Sequence, residues 1–190
     1  GDRHTRTWLR GLLPEGQIRA MIAYDLGIAG TDDFALLAAL GKDCAGALSF
    51  RPAGDADDDE QISGPLTEAH IASLLRSLPT SPMGVGAGFR ASLPGHQSKL
   101  LLTRVDNDWY RPDGAPSTHI LKPAVRELDD STVDNEAYCQ QLATAAGLPA
   151  AITTIEQFDG VRVLTSQRFD RVRHGTHTVR IHQEDGCQAT

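Results

Sequence analysis

The sequence predicts an α+β fold, a mainly helical first part followed by a small antiparallel sheet with one helix. Three observations carry that prediction. Apolar residues recur at helical spacing up to residue 78, and short apolar runs of strand length take over beyond residue 88. Between the two textures lies 79–88, rich in proline, glycine and serine. The division gives one unit at residues 1–80 and a second at 81–190.

Each element follows from local chemistry. Gly1 opens a polar, basic stretch without a methionine, from which a lost natural N-terminus is expected, and no signal peptide opens the chain. Pro14 suits the start of a first helix with Ile18, Met21, Ile22 and Leu26 on one face and Gly27 closing it. Thr31 caps a second helix, where Asp32 and Asp33 favour the positive end. Phe34, Leu37 and either Ala38 or Leu40 form its apolar stripe, and Gly41 ends it. Residues 46–50 read as a strand. A third helix runs over 67–78, with Ile71, Leu74, Leu75 and Leu78 at helical spacing and Pro79 and Pro82 stopping it. Beyond it, strands are expected at 99–105, 117–121, 152–158, 161–168 and 178–182. One long helix, capped near Ser131 or Thr132 and ended at Gly147-Leu148-Pro149, interrupts them.

Composition narrows the function classes. A formal net charge of −7 argues against broad nucleic-acid binding, since phosphate backbones select basic surfaces. No stretch approaches the ~18 consecutive apolar residues that span a bilayer. Cys44, Cys139 and Cys187 are widely spaced and fit neither a metal pattern nor a disulfide framework, so reduced thiols in a cytoplasmic protein are expected. The acidic run 55–60 reads as a solvated loop. The histidines, among them His4, His70, His174 and His177, lack zinc-site spacing. Glu184 beside Asp185 reads as a helix N-terminal pair rather than an acid–base site, and His96 with Ser98 lacks a third triad member.

The chemistry concentrates in the second unit. Gly84 to Lys99 is glycine-marked and suits close backbone approach to phosphates, although its spacing is not that of a Walker A loop. An apolar strand then delivers Lys122, and Glu136 follows in the next predicted helix. In protein kinases a strand lysine contacts the ATP phosphates and is held by a helix glutamate.

Six short motifs, in order, carry a resemblance. They are Leu12-Leu13-Pro14-Glu15, Gly95-x-Gln97-x-Lys99, Ser117-Thr118-His119-Ile120-Leu121-Lys122-Pro123, Asp134-Asn135-Glu136-x-x-Cys139, Arg168-Phe169-Asp170-Arg171 and His182-Gln183-Glu184-Asp185-x-Cys187-Gln188. The chain resembles the HipA family, bacterial serine/threonine protein kinases that act as toxins of type II toxin–antitoxin systems.

The resemblance implies a kinase N-lobe-like sheet following a HipA N-terminal subdomain, and ATP with Mg2+ as cofactors. Ser92 to Lys99 would be the phosphate-covering loop, with Ser92, Gly95, Gln97 and Lys99 at the nucleotide. Ser92 would be the autophosphorylated serine, Lys122 the phosphate-holding lysine and Glu136 the acid that orients it. Gln167 to Phe169, including Arg168, would be the hinge that reads adenine through its backbone. The implied partners are a helix-turn-helix antitoxin of the HipB type, DNA only through that antitoxin, and a protein substrate. The family's best-known substrate is a glutamate-charging aminoacyl-tRNA synthetase (glutamyl-tRNA synthetase).

This sequence departs from the family pattern at several positions. Pro94, His96 and Ser98 stand where alanine, alanine and glutamate or proline are common, and Gln167 stands where a hinge glutamate is common. The family's catalytic aspartate, the following asparagine and the metal-binding aspartate belong to a helical C-terminal lobe. No catalytic or metal-ligating residue is therefore assigned within these 190 residues. Two readings stay open: the ATP-binding half of a HipA-like kinase, inactive alone, or a non-catalytic regulatory or interaction module of a split or decayed toxin–antitoxin system.

Overall fold

The computed structural model describes residues 3–54, 64–112, 115–125, 131–174, 177–184 and 186. Helix α1 (Arg3–Arg10) opens it, where the sequence suggested only a polar stretch. Leu9 alone is buried in α1 and Trp8 packs at the edge of the core, so the helix shows little apolar periodicity. Helix α2 (Gly16–Asp25) starts two residues after Pro14, buries Ile18 and Ile22, and gives way to Gly27 at φ +64°. Helix α3 (Asp33–Leu40) is capped by Asp32 rather than Thr31: the Asp32 carboxylate accepts the Ala35 N–H at 3.0 Å. Leu36, Leu37 and Leu40 are buried there, whereas Phe34, expected on the apolar stripe, is 68% exposed.

No strand forms over 46–50. The strand in this region is β1 (Asp43–Cys44), and it ends because Gly46 sits at φ +69° beside the Gln183 backbone. A Cβ on Gly46 would fall 3.0 Å from the Gln183 nitrogen, a crossing that only glycine permits.

Helix α4 (Glu68–Ser77) begins as expected, with the Thr67 hydroxyl accepting the His70 N–H. A 3-10 segment (Pro82–Ala87) leads to β2 (Ala91–Ser92), which pairs in parallel with β1. The main sheet comprises β3 (Leu100–Val105), β4 (Asp108–Tyr110), β5 (His119–Pro123), β6 (Thr153–Phe158) and β7 (Val161–Gln167). Its order is β4-β3-β5-β7-β6, with every pairing antiparallel. Helix α5 (Ser131–Ala145) covers part of one face, and the hairpin β8 (Arg171–His174) and β9 (His177–Arg180) follows. Strands β4 and β8 were not legible in the sequence. They are short, and β8 carries only one apolar residue, Val172.

Strand alternation distributes the core between two layers. Leu100, Leu102, Leu121 and Val163 face α4, where Ile71, Leu75 and Leu78 meet them. Leu101 and Ile120 turn the other way into the cluster formed by α1, α2 and α3, and Leu164 packs against Val133 and Ala137 of α5. Helix α4 precedes the 79–88 turn in sequence but packs on the sheet. No helix among the described residues is long and apolar enough to cross a membrane.

Leu121 is fully buried at the centre of the α4-facing layer. Leu121→Ala is expected to lower the unfolding free energy by about 2–5 kcal/mol, the range for a buried leucine replaced by a cavity, measured by urea denaturation.

Candidate functional site

Sheet alternation puts Lys122 opposite Leu121, on the face that α5 covers. Helix α5 is held there by Val133 and Ala137 against Leu164, the residue that pairs with Lys122 across β5 and β7. Glu136, three residues after Val133, shares that helix face. Lys122 Nζ lies 2.5 Å from Glu136 Oε1, with the two side chains 24% and 30% exposed. A surface ion pair of this kind adds little stability. What the pair fixes is the place of the Lys122 ammonium group.

The loop before β3 reaches the same region. Gly95 adopts φ +117°, and a Cβ there would lie 2.9 Å from Lys99 Nζ, so a side chain at 95 would displace the ammonium. Lys99 Nζ donates to the Pro94 carbonyl at 2.6 Å, and Gln97 Nε2 donates to the Pro123 carbonyl at 3.4 Å, tying the loop to the end of the lysine strand. Burial pushes the Lys99 ammonium down to about 8; the Lys122 charge pushes the same way, against Glu15 and Glu136. Two cations, each pinned, thus converge beside a glycine turn. That arrangement suits a polyanion such as a nucleotide triphosphate.

The N-terminal unit holds the loop in place. Ser92 is fully buried, and its Oγ donates to the Leu12 carbonyl at 2.7 Å. The Glu15 N–H donates to the Gly95 carbonyl at 3.3 Å, and the Glu15 carboxylate lies 3.6 Å from His96 Nδ1. His96, a departure from the family pattern, also packs its ring against Gly16.

At the end of β7, the Gln167 and Arg168 N–H groups donate to the carbonyls of Ile152 and Thr118. The Arg168 side chain turns into the protein. Its guanidinium is buried against Asp170, Asp43, Ser117 Oγ and the Cys44 carbonyl. Arg171 is buried in the same cluster, bonded to Asp43, Asp170 and the carbonyls of Cys44 and Gly46. Burial pushes the Asp170 carboxyl up, but the hydrogen bond and charge of Arg168, with Arg171 and the Gly46 N–H, outweigh it and hold it below the usual range. Phe169, between these anchors, is 74% exposed. A cavity of about 570 Å³ opens beside Gln167 and Arg168, lined also by Thr118 and His119. His119 is held neutral, its pKa lowered to about 4 by burial and then by Arg104, and its ring meets Trp109 edge-on.

The structure therefore brings Gly95, Gln97, Lys99, Lys122 and Glu136 together, sets Ser92 apart under the loop, and places Phe169 at the other end of β5 and β7. Sequence reasoning missed Asp43, which lies outside the quoted motifs. Its signal, an aspartate beside a buried cysteine, is faint. Glu184, read as part of a helix start, lies in irregular chain and accepts the Trp8 indole N–H at 2.5 Å. The acidic run 55–60, Asp185, Cys187 and Gln188 lie outside the described residues. Among the described residues no group of three or more histidine, cysteine, aspartate or glutamate side chains is placed to hold a metal ion.

Comparison with known proteins gives consistent matches. Residues 91–190 match the family model of the HipA-like C-terminal domain, and residues 1–51 that of the HipA N-terminal domain. The chain is 42% identical to a Sinorhizobium fredii protein named "Putative kinase Y4mE", over 98% of this chain and 46% of the relative. It is 31% identical to the serine/threonine-protein kinase toxin HipA of Shewanella oneidensis, over 96% of this chain and 42% of the relative. A chain in the solved complex of the Shewanella oneidensis MR-1 toxin–antitoxin system, HipA, HipB and its operator DNA, superposes with a TM-score of 0.79 at 27% identity. That match covers 97% of this chain and 43% of the solved one. The chain spans less than half the length of the curated relatives it matches.

The lowered pKa of Lys99 gives a pH signature. Between about pH 8 and the ordinary lysine value of 10.5 the unfolded chain binds the proton that the folded chain releases. Stability contributed at this site therefore rises with pH across that window. Cys44, pushed up to about 12 by burial and then by Asp43, acts oppositely above pH 9. Comparing wild type with Lys99→Met cancels the Cys44 contribution: the variant is expected to lose the rise, by up to about 3 kcal/mol, in urea titrations at stepped pH.

Proposed function

The chain belongs to the HipA family, and on that premise we propose that it is the ATP-holding part of a HipA-like serine/threonine protein kinase. The observation that carries the reading is the Lys122–Glu136 pair, set beside the glycine loop that delivers Lys99. Bound ATP would supply a γ-phosphoryl group for transfer to a serine or threonine hydroxyl. Lys122 and Lys99 would neutralise its phosphates, Glu136 would keep Lys122 in place, and the Gly95–Gln97 backbone would close over them. Phe169 and the Gln167–Phe169 backbone would border the adenine. The Arg168 side chain takes no part at the nucleotide, being committed to the buried cluster. Mg2+ is given no ligand among the described residues and no step here.

Ser92 is the proposed autophosphorylation site, and its burial supports a switching role. A phosphoryl group on Oγ would remove the donor to Leu12 and bring negative charge into a fully buried position. The loop would have to leave its seat, taking Lys99 with it. The solved HipA–HipB–DNA neighbour supports a helix-turn-helix antitoxin of the HipB type as partner, with DNA reached through it. A translation protein such as glutamyl-tRNA synthetase, in the cytoplasm, is the proposed substrate.

Phosphoryl transfer depends on positioning and charge stabilisation. The groups that would orient the acceptor hydroxyl are assigned outside these 190 residues. The purified 190-residue chain is therefore expected to transfer no radiolabel from ATP. The protein made from the uncut native gene is expected to do so, and Lys122→Ala should reduce its rate by about a hundredfold or more. Label transfer by the isolated chain, lost in Lys122→Ala, would overturn the assignment of the catalytic groups. A native product that neither binds ATP nor transfers label would favour the interaction-module reading.

A further inference from the structure

We propose that Asp43, in the N-terminal unit, is a positioning residue for the hinge at Gln167–Phe169, so that the N-terminal unit is a working part of the nucleotide site. The proposal rests on the nucleotide reading given above. Asp43 is 3% exposed and reaches two separate pieces of the second unit. Its Oδ2 accepts the N–H and Oγ–H of Ser117, at 3.1 and 2.5 Å, at the entrance to the lysine strand. The same oxygen lies 3.3 Å from Arg168 Nη1, while Oδ1 accepts Arg171 Nη2 at 2.8 Å. Arg180 Nε stands 3.8 Å from Oδ1 at the rim of the cluster. One carboxylate thus fixes the start of the lysine strand relative to the chain leaving β7.

The hinge sequence explains why this matters for a ligand. Arg168, Asp170 and Arg171 all turn inward, and each is gripped by residues 43–46: Asp43, the Cys44 carbonyl, and the Gly46 N–H and carbonyl. Phe169 is the one residue of the four that turns out. Anchors on both sides set its peptide planes, so the surface offered to an adenine is set by how residues 168 and 170 are seated. The guanidiniums of Arg168 and Arg171, with that of Arg180 at the rim, face only two carboxylates in a site whose core side chains are buried. Removing one negative charge leaves the guanidiniums undercompensated, and the segment that must adjust is the hinge.

A purely structural cluster would affect folding and leave the affinity of the folded protein alone. The two roles separate in the product of the uncut native gene, with ATP affinity measured by calorimetry well below the melting temperature. Asp43→Asn keeps the shape and removes the charge. It is expected to weaken ATP binding by about tenfold or more, the scale of a lost charged hydrogen bond, and to raise KM for ATP more than it lowers kcat. Ser117→Ala leaves every charge in place but removes two charge-assisted hydrogen bonds, the one Ser117 Oγ donates to Asp43 and the one it accepts from Arg168 Nη1; a loss of about tenfold is expected. An Asp43→Asn protein that melts earlier yet binds ATP within about twofold of wild type overturns the proposal. If that variant does not fold, unchanged affinity in Ser117→Ala overturns it instead. Phe169→Ala distinguishes the underlying reading. Should wild type bind no ATP, or Phe169→Ala bind it as wild type does, the hinge assignment itself is wrong and the role of Asp43 falls with it.

Discussion

The buried cluster of Asp43, Arg168, Asp170 and Arg171 is the constraint on which the rest of the structure depends. The four side chains are 2–5% exposed, and removing an ion from water costs several kcal/mol unless pairing is nearly complete. Pairing here is supplied by two segments far apart in sequence, 43–46 and 168–171, so neither has a satisfactory environment without the other. Carbonyls of Cys44 and Gly46 and the Gly46 N–H complete the set. The helical first part and the sheet are consequently locked in one register, which apolar contact between Leu101, Ile120 and the helices would not specify by itself.

From that lock the N-terminal residues reach the loop, the start of the lysine strand and the hinge of the proposed nucleotide site. Strand β1 presents Asp43 to the hinge and to Ser117, while Cys44 of the same strand pairs with Ser92 at the start of the loop. Leu12 and Glu15 hold the loop at Ser92 and Gly95. The lysine strand, the loop and the hinge come from three separate stretches of chain, and residues 12–46 touch all three.

Much of this was legible in the sequence. Helix α4 follows from apolar periodicity, because its burial is one-sided, and strands β3, β5, β6 and β7 follow from short runs of strand length between turn residues. The Lys122–Glu136 pair was legible because both residues lie on regular elements, where spacing fixes direction. What could not be read depends on contacts remote in sequence. Helix α1 buries a single residue, and the 46–50 stretch is apolar enough for a strand but is broken by a crossing with Gln183. Phe34 looked like core by its side chain, yet the α3 core is filled by Leu36, Leu37 and Leu40. Arg168 was read as part of a hinge that acts through its backbone; where its side chain goes was not legible, because its partner Asp43 is 125 positions away. No local pattern announces such a pairing.

The most direct test of the central claim is a crystal structure of the native gene product with a non-hydrolysable ATP analogue. The account predicts the phosphates within hydrogen-bonding distance of Lys122 Nζ and beneath the 95–99 loop. It also predicts the adenine against Gln167–Phe169, with Asp43 still bonded to Arg168 and Ser117. An analogue bound elsewhere, with Lys122 contacting only Glu136, would contradict it.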